Sequence, residues 1–196
     1  RPDEGVGVEP VLAAILAAGK VGGIVPFNGL GPFVNFGVEV GYVFGGTDRS
    51  IGALVDVTYT VPHAEGTQSE GFDPPRVEGG EYDWELTQKE LVLQPTFLYR
   101  FTLLGWDPVT PYAGIGPRIY FLESVIEGEA GGQPFGETPE RSTKLGVGLP
   151  LGAEYELGPG GLFAELLLQW APMDHRITGD THLASGTLFL GYRALL

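Results

Sequence analysis

Side chains two residues apart resemble each other through most of this chain, and neighbours do not. In residues 142–157, STKLGVGLPLGAEYEL, one row runs Thr143, Leu145, Val147, Leu149, Leu151, Ala153, Tyr155 and Leu157. The other runs Lys144, Gly146, Gly148, Pro150, Gly152, Glu154 and Glu156. A period of two belongs to a β-strand, whose successive side chains point to opposite faces. The pattern returns in residues 33–45, where Val34, Phe36, Val38, Val40, Tyr42 and Phe44 alternate with Asn35, Gly37, Glu39 and Gly41. It returns again in 51–62, 84–101, 110–125, 162–172 and 183–196. With a less regular segment before Phe27, these make about eight strands. The stretch LAAILAAGK has no clean alternation, and a short helix is the alternative reading there.

Which row meets the solvent decides the class of protein. If the barrel were soluble, the aliphatic rows would fill its interior and the glycines would form much of its wet surface. Glycine has no side chain with which to shield a sheet, yet the chain holds 32 of them within 196 residues, concentrated opposite the aliphatic rows. The inverse arrangement accounts for more. Aliphatic rows face lipid, and small and charged residues share a narrow lumen. The expected fold is therefore all-β, an eight-stranded antiparallel up-and-down transmembrane β-barrel, with a soluble ligand-binding barrel as the alternative. Residues 1–10 are expected to be an N-terminal periplasmic segment and residues 11–196 a single barrel domain.

Other classes are excluded on composition. A formal charge of −14 with 11 scattered Lys and Arg opposes nucleic-acid binding, which needs clustered cations. The absence of cysteine removes disulfides, thiolate metal sites and a cysteine nucleophile. Residues 11–27 are too short, and too interrupted by Lys20, Gly22, Gly23 and Pro26, to form a membrane-spanning helix.

The lumen row carries Glu39, Asp56, Glu90, Gln94, Arg118, Lys144, Glu154, Glu165, Gln169 and Arg193. Unpaired charges in a narrow interior are costly, so these residues are expected to form one polar network that fills the lumen. Pro95, Pro117 and Pro150 fall inside strands, where β-bulges are expected. Tyr42, Phe44, Tyr99, Phe101, Trp106 and Tyr155 gather near the short-turn ends and Trp170 near the other, as aromatic girdles at two lipid interfaces would. Short connections (GTDRS, TLLGWDP, LGPGG) alternate with longer ones, which puts long loops outside and both termini in the periplasm.

On these rows, and on the closing GTLFLGYRALL, the chain resembles the small eight-stranded outer-membrane barrels: the barrel domain of outer membrane protein A, outer membrane protein X and the opacity proteins. The final strand looks like the terminal signal read by the barrel-assembly machinery, although such signals usually end in an aromatic and this one ends in Leu196. The resemblance implies residence in the bacterial outer membrane and a structural, adhesive or scaffolding role. The expected partners are outer-membrane lipid and lipopolysaccharide, with another envelope or surface protein reached through the acidic loops, and the expected state is a monomer.

Catalysis and metal binding have little support. His63, His175 and His182 suggest a lipid-A-modifying enzyme as an alternative, but Ser185 stands three residues from His182, which places the two on opposite strand faces. Asp174, His175, Asp180 and His182 match no standard zinc spacing. The acidic loops, from Glu65 to Glu140, suit hard cations in principle, but such residues more often keep loops solvated. No catalytic residue, metal site or cofactor is assigned, and a narrow channel stands as a further alternative.

Overall fold

The computed structural model describes residues 14–27, 32–45, 49–68, 82–102, 106–130, 132–136, 139–172 and 182–196. The expected N-terminal segment 1–10 and the residues Asp174, His175 and Asp180 lie outside these. The described chain forms β1 (Ala14–Pro26), β2 (Phe33–Val43), β3 (Ile51–Thr60), β4 (His63–Gln68), β5 (Tyr82–Arg100), β6 (Val109–Ala130), β7 (Gln133–Gly136), β8 (Glu140–Leu157), β9 (Gly160–Trp170) and β10 (Ser185–Leu195). β3 and β4 both pair with β5 and act as one stave, and β7 and β8 both pair with β6 and act as another. Every pairing is antiparallel, and β1 pairs with β10 from Leu16↔Leu195 to Pro26↔Ser185, so the sheet closes on itself. The result is an eight-stave up-and-down barrel.

The alternation decides the two surfaces. Val34, Phe36, Val38 and Val40 are more than half exposed on the outer wall, while Asn35 and Glu39 between them are buried within. The same inversion holds around the wall, with Phe97, Ile115, Leu145, Leu162, Leu188 and Leu190 outside and Gln94, Arg118, Glu154, Glu165 and Arg193 inside. The first segment is a strand, which overturns the helix alternative. Its outward row is Ile15, Val21 and Val25, and its inward row holds Leu16, Lys20 and Ile24. Both rows are largely apolar, so hydropathy could not reveal the period.

Two loop expectations are also corrected. Residues 63–68 pair with 82–87, and residues 127–130 pair with 133–136, so parts of the two long connections continue the sheet. β5, β6 and β8 run to 19, 22 and 18 residues. A tilted strand crosses a bilayer in about 9 to 11 residues, so these three stand well clear of the band defined by the other staves. At the opposite end the turns are tight. Gly158 has a φ of 63° and is followed by Pro159 between β8 and β9, a sequence suited to a two-residue hairpin turn.

The prolines cause no bulge. Pairing of β5 with β6 lapses between Leu93↔Ile119 and Phe97↔Ile115 but resumes in the same register, which sets Pro95 opposite Pro117. Two residues without an N–H thus share one gap in the ladder, and both rings face outward. Pro150 keeps its place opposite Leu167, and the lapse beside it falls on the β6 side, again without an added residue.

The glycines on the inner wall make room for long side chains. A Cβ on Gly37 would meet Lys20 Cε at 2.8 Å, one on Gly161 would collide with Glu154 Cγ, and one on Gly148 would collide with Gln94 Oε1. A Gly148→Val substitution should therefore overpack the lumen and lower stability by roughly 1–3 kcal/mol. Urea unfolding in lipid vesicles, followed by tryptophan fluorescence, would show this as a reduced midpoint.

Candidate functional site

The interior holds a belt of charge interleaved with apolar side chains. Lys20, from the middle of β1, donates hydrogen bonds to Glu39 Oε1 on β2 at 2.8 Å, Asp56 Oδ2 on β3 at 2.6 Å and Glu165 Oε1 on β9 at 3.0 Å. An ammonium has three donors, and here each has its own carboxylate. Arg193 on β10 continues the chain of contacts, with Nη2 on Glu39 Oε2 at 2.7 Å and Nη1 on Glu154 Oε2 at 3.0 Å. Arg100 Nη2 reaches the other oxygen of Glu154 at 3.1 Å, and the Tyr112 hydroxyl donates to Glu165 Oε2 at 3.0 Å. Seven charged side chains from seven staves are thus joined without a break.

Aromatic faces cap the cations. Lys20 Nζ lies 4.5 Å from the centroid of Phe189, and the Arg193 guanidinium lies 4.4 Å from that of Phe163 and 4.8 Å from that of Tyr112. Such contacts strengthen when water is excluded. Among the belt residues Leu54, Leu98, Tyr112 and Phe163 pack together, and above the belt Val92, Tyr120, Leu122, Ala171 and Leu183 do the same. The interior is therefore less uniformly polar than the lumen row suggests.

The predicted residues fall into three groups. Glu39, Asp56, Glu154, Glu165 and Arg193 belong to the belt. Gln94, Arg118, Glu90 and Gln169 lie in separate polar contacts above it: Arg118 donates to Gln94 Oε1 and to Thr58 Oγ1, Gln88 Nε2 donates to Glu90 Oε1 at 2.6 Å, and Gln169 Nε2 donates to Ser185 Oγ. Lys144 occupies the inner row but is only half-buried, and no ion-pair partner is found for it among the described residues. Its place near the open mouth leaves it solvated, where a partner is not needed.

Sequence reasoning left out Lys20, Arg100 and Tyr112. Lys20 is the centre of the belt, and a usable signal existed: a lone cation in an otherwise apolar strand of a lipid-facing barrel must point inward. Arg100 and Tyr112 stand on the inner rows of their strands and needed only to be counted with the others. Glu39, Asp56 and Glu165 approach closely enough to resemble a metal cluster, but Lys20 Nζ already occupies the space between them.

The other candidate residues are dispersed. The His63 ring packs on Phe33 at 4.8 Å, and His182 Nδ1 accepts a hydrogen bond from the Ala184 amide. Ser185 is buried against Gln169, so the described histidines and this hydroxyl do not assemble a nucleophile and base. Tyr42, Phe44, Tyr99, Phe101, Trp106, Tyr155 and Trp170 are all exposed on the outer surface. Tyr42 and Phe44 meet edge to face at 5.3 Å, as do Tyr99 and Phe101 at 5.0 Å.

These features define a small, closed antiparallel barrel that is apolar outside and ionic within. No family model and no curated protein matches the chain. Among solved structures it is similar to the neisserial surface protein A, at 16% identity over 93% of this chain and 96% of that one, with a TM-score of 0.48. It is also similar to Ail, the attachment invasion locus protein of Yersinia pestis, solved with the heparin analogue sucrose octasulfate, at 14% identity over 92% of this chain and 97% of that one, with a TM-score of 0.42. A further structure of Yersinia pestis Ail in a phospholipid nanodisc gives 16% identity, coverage of 94% and 99%, and a TM-score of 0.39. The barrel assignment rests on this chain's own strand pairing.

Replacing Lys20 with Met removes the cation and leaves three buried carboxylates facing one another. Breaking a buried ion pair from one side typically costs about 3–5 kcal/mol. Lys20→Met should unfold at lower urea concentration than the native chain, and adding Asp56→Asn to it should recover part of the loss.

Proposed function

We propose that this chain is a non-enzymatic barrel of the bacterial outer membrane with a structural or surface-interaction role. The observation that carries this is the outer wall: large apolar side chains on every stave lie open in a continuous band, far beyond the few hundred Å² that a soluble monomer tolerates. Closure of the sheet is the second requirement of such an environment, because hydrocarbon offers no partner to an unpaired strand edge.

Orientation follows from the connections. The tight turn at Gly158 and Pro159 and the C-terminal residues share one mouth, joined by the hydrogen bond from the Leu195 amide to the Pro159 carbonyl. In our reading this mouth faces the periplasm and the extensions of β4 to β7 face outward. The aromatics on the outer wall then serve as interfacial girdles, and outer-membrane lipid, including lipopolysaccharide, is the surrounding partner. The belt links seven staves across the interior, which favours a stabilising lumen over a conduit.

The projecting sheet favours a surface role. Glu65, Glu85 and Glu127 stand directly opposite one another across three strands, and Asp83 is opposite Glu129. Like charges so placed repel. They keep this face hydrated and disposed toward a basic surface protein.

Val38 lies at mid-wall and is 57% exposed. Val38→Arg should cost about 2–4 kcal/mol in vesicles if hydrocarbon surrounds it. The measurement is the unfolding midpoint in phosphatidylcholine vesicles. A shift near zero, or a chain that stays monodisperse in buffer without detergent, would reject the membrane assignment.

A further inference from the structure

The outer wall changes character between two neighbouring cross-strand rows. In the lower row Tyr59, Leu91, Phe121 and Thr143 are successive register partners on β3, β5, β6 and β8. Two residues further along each of the last three strands, Lys89 is opposite Glu123 and Glu123 is opposite Arg141. Lys89 Nζ donates to Glu123 Oε1 at 3.0 Å, and Arg141 Nε donates to Glu123 Oε2 at 2.8 Å. Two cations thus bracket one carboxylate, and the row carries an excess of positive charge.

That excess is unusual on this molecule. The chain has a formal charge of −14, and only three described cations are exposed: Arg49 at the opposite mouth, and this pair. Beneath the pair is a groove of about 450 Å³ walled by the outward side chains of Tyr59, Leu91, Phe121 and Thr143. The groove runs without interruption into the apolar band.

We propose that this row is a binding site for the phosphate headgroup of an anionic lipid in the surrounding leaflet. The inference rests on the membrane reading given above. The Arg141 guanidinium offers a planar fork that matches phosphate oxygens, and Lys89 adds a second charge-assisted donor from the far side. Glu123 keeps the two cations apart and extended, and competes with the phosphate for them. The groove below, walled by the Tyr59 and Phe121 rings at the level where interfacial aromatics belong, receives the start of an acyl chain. Lipid is favoured over a soluble anion because the apolar floor and the cations adjoin at the edge of the exposed apolar wall.

The test uses the full chain folded into vesicles of phosphatidylcholine mixed with phosphatidylglycerol, extracted gently and weighed by native mass spectrometry. The native chain should retain phosphatidylglycerol in preference to phosphatidylcholine. Each basic residue near an anionic surface contributes about fivefold in binding, so Lys89→Gln should lower the preference about fivefold and Lys89→Gln with Arg141→Gln should abolish it. Glu123→Gln removes the competitor and should raise the preference, whereas a row that merely braces the strands would show no gain. Equal retention of the two lipids by the native chain, or a preference unchanged in the double variant, overturns the site while leaving the barrel's membrane residence intact. Failure of the native chain to insert into either vesicle overturns both readings. Should the double variant not fold, the single Lys89→Gln and Glu123→Gln variants decide the matter by their opposite signs.

Discussion

The ladder between β1 and β10 is the constraint from which the remaining features follow. It joins the two ends of the chain, so each stave has a hydrogen-bonded neighbour on both sides. With eight staves the enclosed space is only wide enough for side chains. Inward positions must therefore share volume. A long residue on one stave requires a short one nearby: Lys20 beside Gly37, Glu154 beside Gly161, Gln94 and Arg118 beside Gly148. The high glycine content is a consequence of closure and of choosing ionic side chains to fill the cylinder.

Confinement also dictates how those ions are arranged. Five buried carboxylates accompany four buried cations among the described residues, and none could be hydrated as in bulk water. Each is held in place by directed contacts with its neighbours. Lys20 spends all three donors, and Glu39 and Glu154 each bridge two cations with their two oxygens. Phe163 and Phe189, drawn from the same strands as Glu165 and Arg193, cover the cations from the sides. This connectivity ties distant staves together in a way that pairwise strand contacts do not.

Much of the fold was legible because lipid-facing rows are monotonous. Val34 to Val40 and Leu145 to Leu151 announce strand, face and solvent together. The first strand was harder, since Leu16 and Ile24 point inward and Ile15 and Val25 outward, and hydropathy cannot separate such neighbours. β4 and the upper reach of β6 carry no strand signal in the sequence because Glu65, Glu127 and Glu129 lie on a sheet that stands in water, where charge is no sign of irregularity. The proline bulges failed for a reason of pairing: Pro95 and Pro117 meet across the ladder, so both missing donors fall in one gap and the register is kept on either side of it. Of the charged interior, polarity identified the members, but the partition into a continuous belt and separate contacts above it depended on strand register and tilt, which one sequence does not disclose. Lys20 escaped because its strand was the one whose period was hidden.

The position of Lys20 in the chain has a bearing on how the molecule is built. Its ammonium belongs to the first stave, whereas one of its three acceptors, Glu165, arrives 145 residues later. A nascent sheet lacking its last hairpin would present this cation to hydrocarbon with part of its coordination missing. Such a fragment is a poor lodger in a bilayer, and the completed cylinder is a good one. In a membrane-embedded barrel the electrostatics of a single side chain would thereby couple insertion to completion, tying the first stave to the arrival of β9.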